Sequence, residues 1–219
     1  MAKIQAIRAL EVLDSRGNPT VYVKTYLDDG SVGVGYAPSG ASTGKYEALE
    51  LRDGDPKRYN GKGVLKAIQN ITDKITPALI GMKIEDFRPV DQKMIEIDGT
   101  PNKGNLGGNA TLAVSISVAE AIAHSKKLEL FAFLAGYFGS TENYTIPLPY
   151  LNILNGGKHA VGSTDFQEFM IVPVKFANFT ESLRAGTEIY QSLGKILLER
   201  NYQPLVGDEG GFAPSLFSN

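Results

Sequence analysis

Over the first 37 residues, apolar and polar positions alternate with the period of two that a half-buried strand requires. Val21, Val23 and Thr25 alternate against Tyr22, Lys24 and Tyr26. Three runs of this kind, KIQAIRALEVLD, TVYVKTYL and SVGVGYA, are separated by SRGNP and DDG, which hold turn-forming residues. The pattern predicts an antiparallel three-stranded meander with one buried face. Farther on the period lengthens. Val64, Ile68, Ile71 and Ile75 fall on one helical stripe, and Phe87, Val90, Met94 and Ile97 repeat it, which predicts two amphipathic helices. NATLAVSISVAEAIAHS is apolar almost all round, as suits a helix in the centre of a domain.

Strands first and helices after them predict an α+β domain. It is expected to end near Gly139, where LAGYFGSTENY breaks the pattern, giving domains at 1–138 and 139–219. The second begins with LPYLNILNGG and FQEFMIVP. A helical stretch follows from Phe179 to Arg200, with Leu183, Tyr190, Leu193 and Leu197 at helical spacing, and then PLVGDEGG. Strand, strand, helix, strand is the opening of an α/β unit, whose ligands sit at the carboxyl ends of the strands. A closed α/β barrel takes about 250 residues, so this region is expected to be the first part of an incomplete barrel with an open edge.

Composition narrows the function classes. The chain has 219 residues, 42% hydrophobic and 21% charged, with a formal net charge of −2 and no cysteine. There is no block of like charge to hold nucleic acid, and no disulfide framework or thiolate zinc site. The N-terminus lacks a long apolar run, and no stretch reaches the ~18 apolar residues of a membrane span. A cytoplasmic location is therefore expected, in which the Asn-x-Thr triplets at Asn70, Asn109, Asn143 and Asn178 carry no glycan meaning.

Candidate chemistry concentrates in a few segments. PSGASTGK, Pro38 to Lys45, invites comparison with a phosphate-binding loop. However, Gly40 and Gly44 stand one residue too close, and Tyr46 replaces the hydroxyl residue that would hold magnesium. A loop of small polar residues also suits a mobile lid. NLGGN reads as a turn and N-cap into the buried helix. NILNGGKHAVGSTDFQEF joins a glycine turn, His159 and the pair Gln167-Glu168. His159 alone reads as either structural or functional, and His124 as structural or solvent-facing. Strand alternation places Glu168 on the face of Phe166 and opposite Phe169, and a carboxylate among aromatic rings is costly unless paired or functional. Asp208 and Glu209 read as solvated turn residues or as partners of Glu168 in acid–base chemistry.

Together these segments resemble the enolase family. DSRGNPTV, PSGASTG, E-x-x-ELRDGD, NGGKHA, DFQEFMIVP and VGDEGGFAP stand in the family's order across essentially the whole chain. Gly162, where the family usually has Asn, and the absence of a basic residue in VGYAP are local departures. The resemblance implies an α+β N-terminal domain followed by a modified barrel of ββαα(βα)6 type. It also implies the reversible dehydration of 2-phosphoglycerate to phosphoenolpyruvate with two Mg²⁺ ions. Ser39 would sit in the closing loop and ligate the second magnesium. His159 would meet the substrate on closure, Gln167 and Glu168 would touch it, and Glu209 would protonate the departing hydroxyl. The family's three magnesium carboxylates, its Lys base and its Arg–Ser phosphate clamp would all follow Asn219. The chain is thus expected to be an N-terminal half, whether truncated, split or interrupted, and inactive without the rest. Its partner would be a second copy in a homodimer, or a complementary C-terminal half. The alternatives are a non-catalytic interaction module and a nucleotide binder using the GASTGK loop.

Overall fold

The computed structural model describes residues 1–40, 43–140, 144–207 and 209–216. It divides into two compact units, Met1–Glu142 and Asn143–Asn219.

In the first unit, β1 (Ala2–Leu13), β2 (Pro19–Leu27) and β3 (Val32–Tyr36) form the expected meander, in a sheet of order β3-β2-β1-β4 completed by the two-residue β4 (Lys83–Ile84). The register pairs Ile7 with Thr25 and Ala9 with Val23 across β1 and β2, and Val23 with Gly35 across β2 and β3. Turn chemistry sets the β1–β2 connection. Asp14 Oδ1 accepts from Arg16 N and Asn18 N, each at 2.8 Å, while Gly17 takes φ 73°, a conformation glycine adopts without steric cost. The backbone donors, Asn18 first, hold the Asp14 carboxyl below the usual carboxylate range.

Alternation resolves as predicted, with Val21, Val23 and Thr25 fully buried. Their face meets α4 (Gly108–Ser125), in which Ala110, Ala113, Val114, Val118, Ala121 and Ile122 are also buried. The helix approaches so closely because β3 carries glycine. A Cβ at Gly35 would lie 2.0 Å from Ala113 O, and one at Gly33 2.0 Å from Ser117 O. Buried polar groups at this contact pair with each other, Thr25 Oγ1 with Ser117 Oγ at 2.7 Å. The stripe from Val64 to Ile75 becomes α1 (Leu65–Asn70), a π-helical turn at Ile71–Ile75 and α2 (Thr76–Leu79). The second stripe becomes α3 (Arg88–Asp98), and α5 (Leu130–Tyr137) closes the unit. N-capping of α4 falls at Gly107, within NLGGN, with φ 100°.

In the second unit, β5 (Leu151–Asn155) pairs antiparallel with β6 (Glu168–Ile171), and α6 (Phe179–Glu199) follows. Asn178, one of the Asn-x-Thr residues, caps α6 by accepting from Glu181 N at 2.9 Å. Two expectations need correction. The buried line of α6 runs through Ser182, Gly186, Gly194 and Leu197, while Leu183 is exposed. The helix docks through small residues: a Cβ at Gly186 would meet Leu151 Cδ1 at 2.8 Å, and one at Gly194 would meet Phe212 Cζ at 2.9 Å.

PLVGDEGG does not form the expected third strand. Its glycines turn the chain back on itself, with Gly207 N bonded to Gly211 O at 2.8 Å and Ala213 N to Leu205 O at 2.7 Å. Phe212 instead lies along the β5 edge, its N donating to Ile153 O at 2.9 Å and its O accepting from Asn155 N at 2.7 Å. Among the described residues, no helix is long and apolar enough to cross a membrane.

Candidate functional site

The second unit gathers His159, Gln167, Glu168 and Glu209 from three chain segments. His159 ends a 3-10 turn, Gly157–His159, that leaves β5. The turn is pinned by Gly157 N to Thr164 O at 2.7 Å and Gly156 N to Gln167 O at 3.0 Å. That second bond sets Gln167 and Glu168 beside the turn as β6 begins. Glu209 lies in the turn between Gly207 and Gly211, which Tyr190 braces by donating to Gly210 O at 2.8 Å, its ring stacked on Phe212 at 4.3 Å.

One ligand atom each from His159, Glu168 and Glu209 lies within 4.8 Å of the others. The His159 side chain is 3% exposed and that of Glu209 39%, with Nδ1 to Oε2 at 2.9 Å. Yet this contact does not meet hydrogen-bond geometry, and Nδ1 has no hydrogen-bond partner among the described residues. On its other edge, His159 Nε2 lies 3.1 Å from Gln167 Nε2. Asn152 Nδ2 donates to Glu209 Oε2 at 3.3 Å.

Strand alternation misjudged the setting of Glu168. β6 starts at Glu168, so Phe166 precedes the strand, and its ring packs edge-on against Phe169 with centroids 6.0 Å apart. Glu168 is half-buried rather than enclosed by the two rings. Gly162 has φ 83°, the left-handed region that Asn tolerates best after glycine, so the departure there preserves a turn. Asp208 lies outside the described residues.

Sequence reasoning passed over Asn152 and Asn155. Both interrupt the apolar strand LNILN, and a polar residue at such a position is the signal that was available. Asn152 Oδ1 and both Asn155 side-chain polar atoms are buried without a hydrogen-bond partner among the described residues. The glycines of the Glu209 turn allow this approach: a Cβ at Gly211 would lie 2.5 Å from Asn155 Oδ1.

Ser39 belongs to the first unit, in the loop after β3, and is held by a network of its own. Its carbonyl accepts from Arg16 Nη2 at 2.6 Å, and its hydroxyl donates to Glu50 Oε2 at 3.1 Å and accepts from Arg52 Nη2 at 3.2 Å. Arg52 in turn pairs with Glu50 at 2.5 Å. Ser39 borders a cavity of about 460 Å³. On its wall Asp91 is pushed above the usual carboxylate range by burial, partly countered by a hydrogen bond with Ser115. No helix begins at Lys45, so the strand–loop–helix context of a phosphate-binding loop is missing. His124 contacts the β3 carbonyl of Val32 through Nδ1 at 2.6 Å, a structural placement.

A model of the family described as "Enolase, N-terminal domain" matches residues 4–134. A model described as "Enolase, C-terminal TIM barrel domain" matches residues 143–219. The first covers more than half of the chain, and the second starts where the second compact unit does. The chain belongs to the enolase family, and consists of its α+β N-terminal domain followed by part of its C-terminal TIM barrel domain.

Proposed function

We propose that this chain carries the acid side and the substrate-facing residues of an enolase-type lyase, acting in the reversible dehydration of 2-phosphoglycerate to phosphoenolpyruvate. The observation that supports this reading is the convergence of His159, Glu168 and Glu209 within 4.8 Å, on turns that the local backbone holds. Hydroxide is a poor leaving group, so the carbon–oxygen bond breaks readily only if a proton reaches the departing oxygen. Glu209, the most exposed member of the cluster, supplies that proton, so that water leaves and Glu209 ends as a carboxylate. In the reverse direction the carboxylate takes a proton from water. Glu168 shares the hydroxyl pocket. Gln167 orients the imidazole of His159, which meets the substrate from its buried position.

The family reaction calls for two magnesium ions, which would stabilise the charge of the intermediate. Magnesium demands an octahedral set of oxygen donors. Both oxygens of Ser39 are engaged by protein groups, and the His159–Glu168–Glu209 cluster includes an imidazole. These residues do not fit a pair of magnesium ions, and no step here runs through them. We infer accordingly that the chain needs the remaining barrel strands, in a cytoplasmic assembly, to turn over substrate.

The test is the formation of phosphoenolpyruvate, followed by its absorbance, with the chain alone and mixed with a polypeptide carrying the rest of an enolase barrel. Activity in the mixture, lowered about 10²- to 10⁴-fold by Glu209→Gln, is expected. An active mixture indifferent to that substitution would sink the assignment. The exposure of Leu205 at 68% and Val206 at 59% favours a second reading, a module that pairs with a partner. Tight association in the same mixture with no activity would select it.

A further inference from the structure

We infer that the cavity of the first unit walled by α3 and α4 is a binding site for a small organic ammonium ion with an apolar body. It measures about 460 Å³, within the roughly 300–1,000 Å³ of small-molecule sites. The polar pattern of α4 points to it. Most of this helix is buried, so the polar side chains between Asn109 and Ser117 need partners. Asn109 exchanges bonds with Leu51, accepting from its N at 3.2 Å and donating to its O at 3.0 Å. Thr111 bonds back to Gly108 O at 3.1 Å, and Ser117 pairs with Thr25. Ser115 instead turns to Asp91 of α3, and both residues line the cavity.

Ser115 satisfies only part of this carboxyl. Asp91 Oδ1 is buried without a hydrogen-bond partner among the described residues, and burial keeps the group above the usual carboxylate range in spite of the Ser115 bond. A ligand N–H donated to Oδ1 would supply the missing partner. Positive charge on that nitrogen would favour the carboxylate form, which burial opposes, and would strengthen the bond.

The other charges around the cavity favour the same sign of ligand. Glu47, Glu50 and Lys103 complete its ionisable lining. Glu50 is neutralised by Arg52 at 2.5 Å, so Asp91 and Glu47 face the single cation of Lys103. Ser39 offers little, because Arg16, Glu50 and Arg52 engage both of its oxygens. The rest of the α3–α4 wall is apolar. Met94 is buried there, and its thioether adapts to varied shapes. Ile95 and Leu112 line the cavity and are also exposed, so a hydrocarbon body can enter over them. None of these groups belongs to the His159–Glu168–Glu209 cluster, and the inference stands apart from the proposed dehydration.

The probe is cyclohexylmethylamine, titrated into the 219-residue chain by calorimetry and by ¹³C spectra of labelled methionine methyls. Cyclohexylmethanol and cyclohexanecarboxylate serve as its neutral and anionic analogues. One saturable site is expected for the amine, with the alcohol at least about tenfold weaker and the carboxylate not bound. Of the four methionines, Met94 alone lines the cavity, so its methyl should shift while those of Met1, Met82 and Met170 stay. Asp91→Asn should weaken the amine about tenfold or more and leave the alcohol unchanged, whereas Leu112→Trp, which narrows the cavity, should weaken both. The analogue series and the Met94 signal are read on the unsubstituted chain, so a variant that fails to fold does not shelter the proposal. Absence of saturable amine binding, an alcohol bound as tightly as the amine, or an unmoved Met94 methyl overturns it. So does undiminished amine affinity in folded Asp91→Asn, and preference for the carboxylate would make Lys103 the recognising charge instead.

Discussion

The two units solve the problem of burial in opposite ways. In the first, no position of β2 is exposed and most of α4 is buried, and the contiguous core runs from Ile4 to Phe133. In the second, the buried apolar side chains among the described residues are Ala160, Pro173, Leu197, Phe212 and Pro214, and β5 and β6 are mostly half-buried. The polar cluster lies in this second, thinner unit. A region with few apolar neighbours can keep His159, Asn152 and Asn155 poised and incompletely bonded, because the core of the molecule does not depend on them. The contrast predicts that matched changes in the two units will differ sharply in cost.

The largest effect should come from Gly35→Ala. The new methyl would stand 2.0 Å from the carbonyl oxygen of Ala113, a backbone atom on the face of α4 that packs against the sheet. The sheet and α4 would have to separate, and we expect a loss above ~4 kcal/mol in denaturant unfolding, or no folded first unit at all. A loss under ~1 kcal/mol would show that the first core is as pliant as the second unit.

Next in size is Asp98→Asn. Asp98 is buried, accepting from Leu106 N at 2.6 Å and from Thr100 N at 3.0 Å, with the Thr100 hydroxyl as a third donor. Burial alone would raise its pKa, but these donors outweigh it and hold the carboxyl below its usual range. The amide would set an N–H against one of the donors, at a cost of about 2–3 kcal/mol. Thermal unfolding of the first unit reads this directly.

These predictions also mark what could be read in advance. The meander and the buried helix were legible because Val21, Val23 and Thr25 keep a strict period of two and the run from Asn109 to Ser125 is apolar almost all round. The acid cluster was legible as residue types, through Gln167-Glu168 and Glu209, but its detailed packing was not. The setting of Glu168 depended on where β6 starts, one backbone choice that alternation presupposes. The seam of α6 was misjudged because close packing favours Gly186 and Gly194, residues that hydrophobicity patterns ignore. The return of Gly207–Gly211 needed tertiary bonds from Tyr190 and Phe212 that no local rule supplies.

Acid should act on the first unit at smaller amplitude. Glu11 is held below its ordinary value of 4.5 chiefly by hydrogen bonding to Arg58, with Val64 N adding to this at 2.9 Å. A carboxyl with a depressed folded-state pKa contributes stability in full above its unfolded value and loses it as the pH falls through the folded value. The unfolding midpoint of the first unit should therefore drop from about pH 4.5 downward, and Glu11→Gln should flatten that drop while lowering stability near neutrality. An unchanged acid limb in the variant would assign the acid sensitivity to Asp14, Asp29, Asp86 and Asp98, which also lie below their usual range.

The smallest effect is expected where the second unit receives the same change as the first. Gly186→Ala puts a methyl 2.8 Å from Leu151 Cδ1 and 2.9 Å from Cδ2, a milder overlap than the 2.0 Å at Gly35. The difference is what must move. Leu151 is half-buried at the start of β5, and the far end of a leucine can rotate toward solvent, whereas the Ala113 carbonyl is fixed in its helix. Replacing a mid-helix glycine by alanine also returns about 1 kcal/mol of helix propensity. The two contributions nearly cancel, so the net change should stay within ~1 kcal/mol of zero, read as the difference in denaturation midpoint of the second unit. A cost comparable to that of Gly35→Ala would mean that α6 is seated as rigidly as α4, and the comparison between a closed unit and a yielding one would fail at its central point.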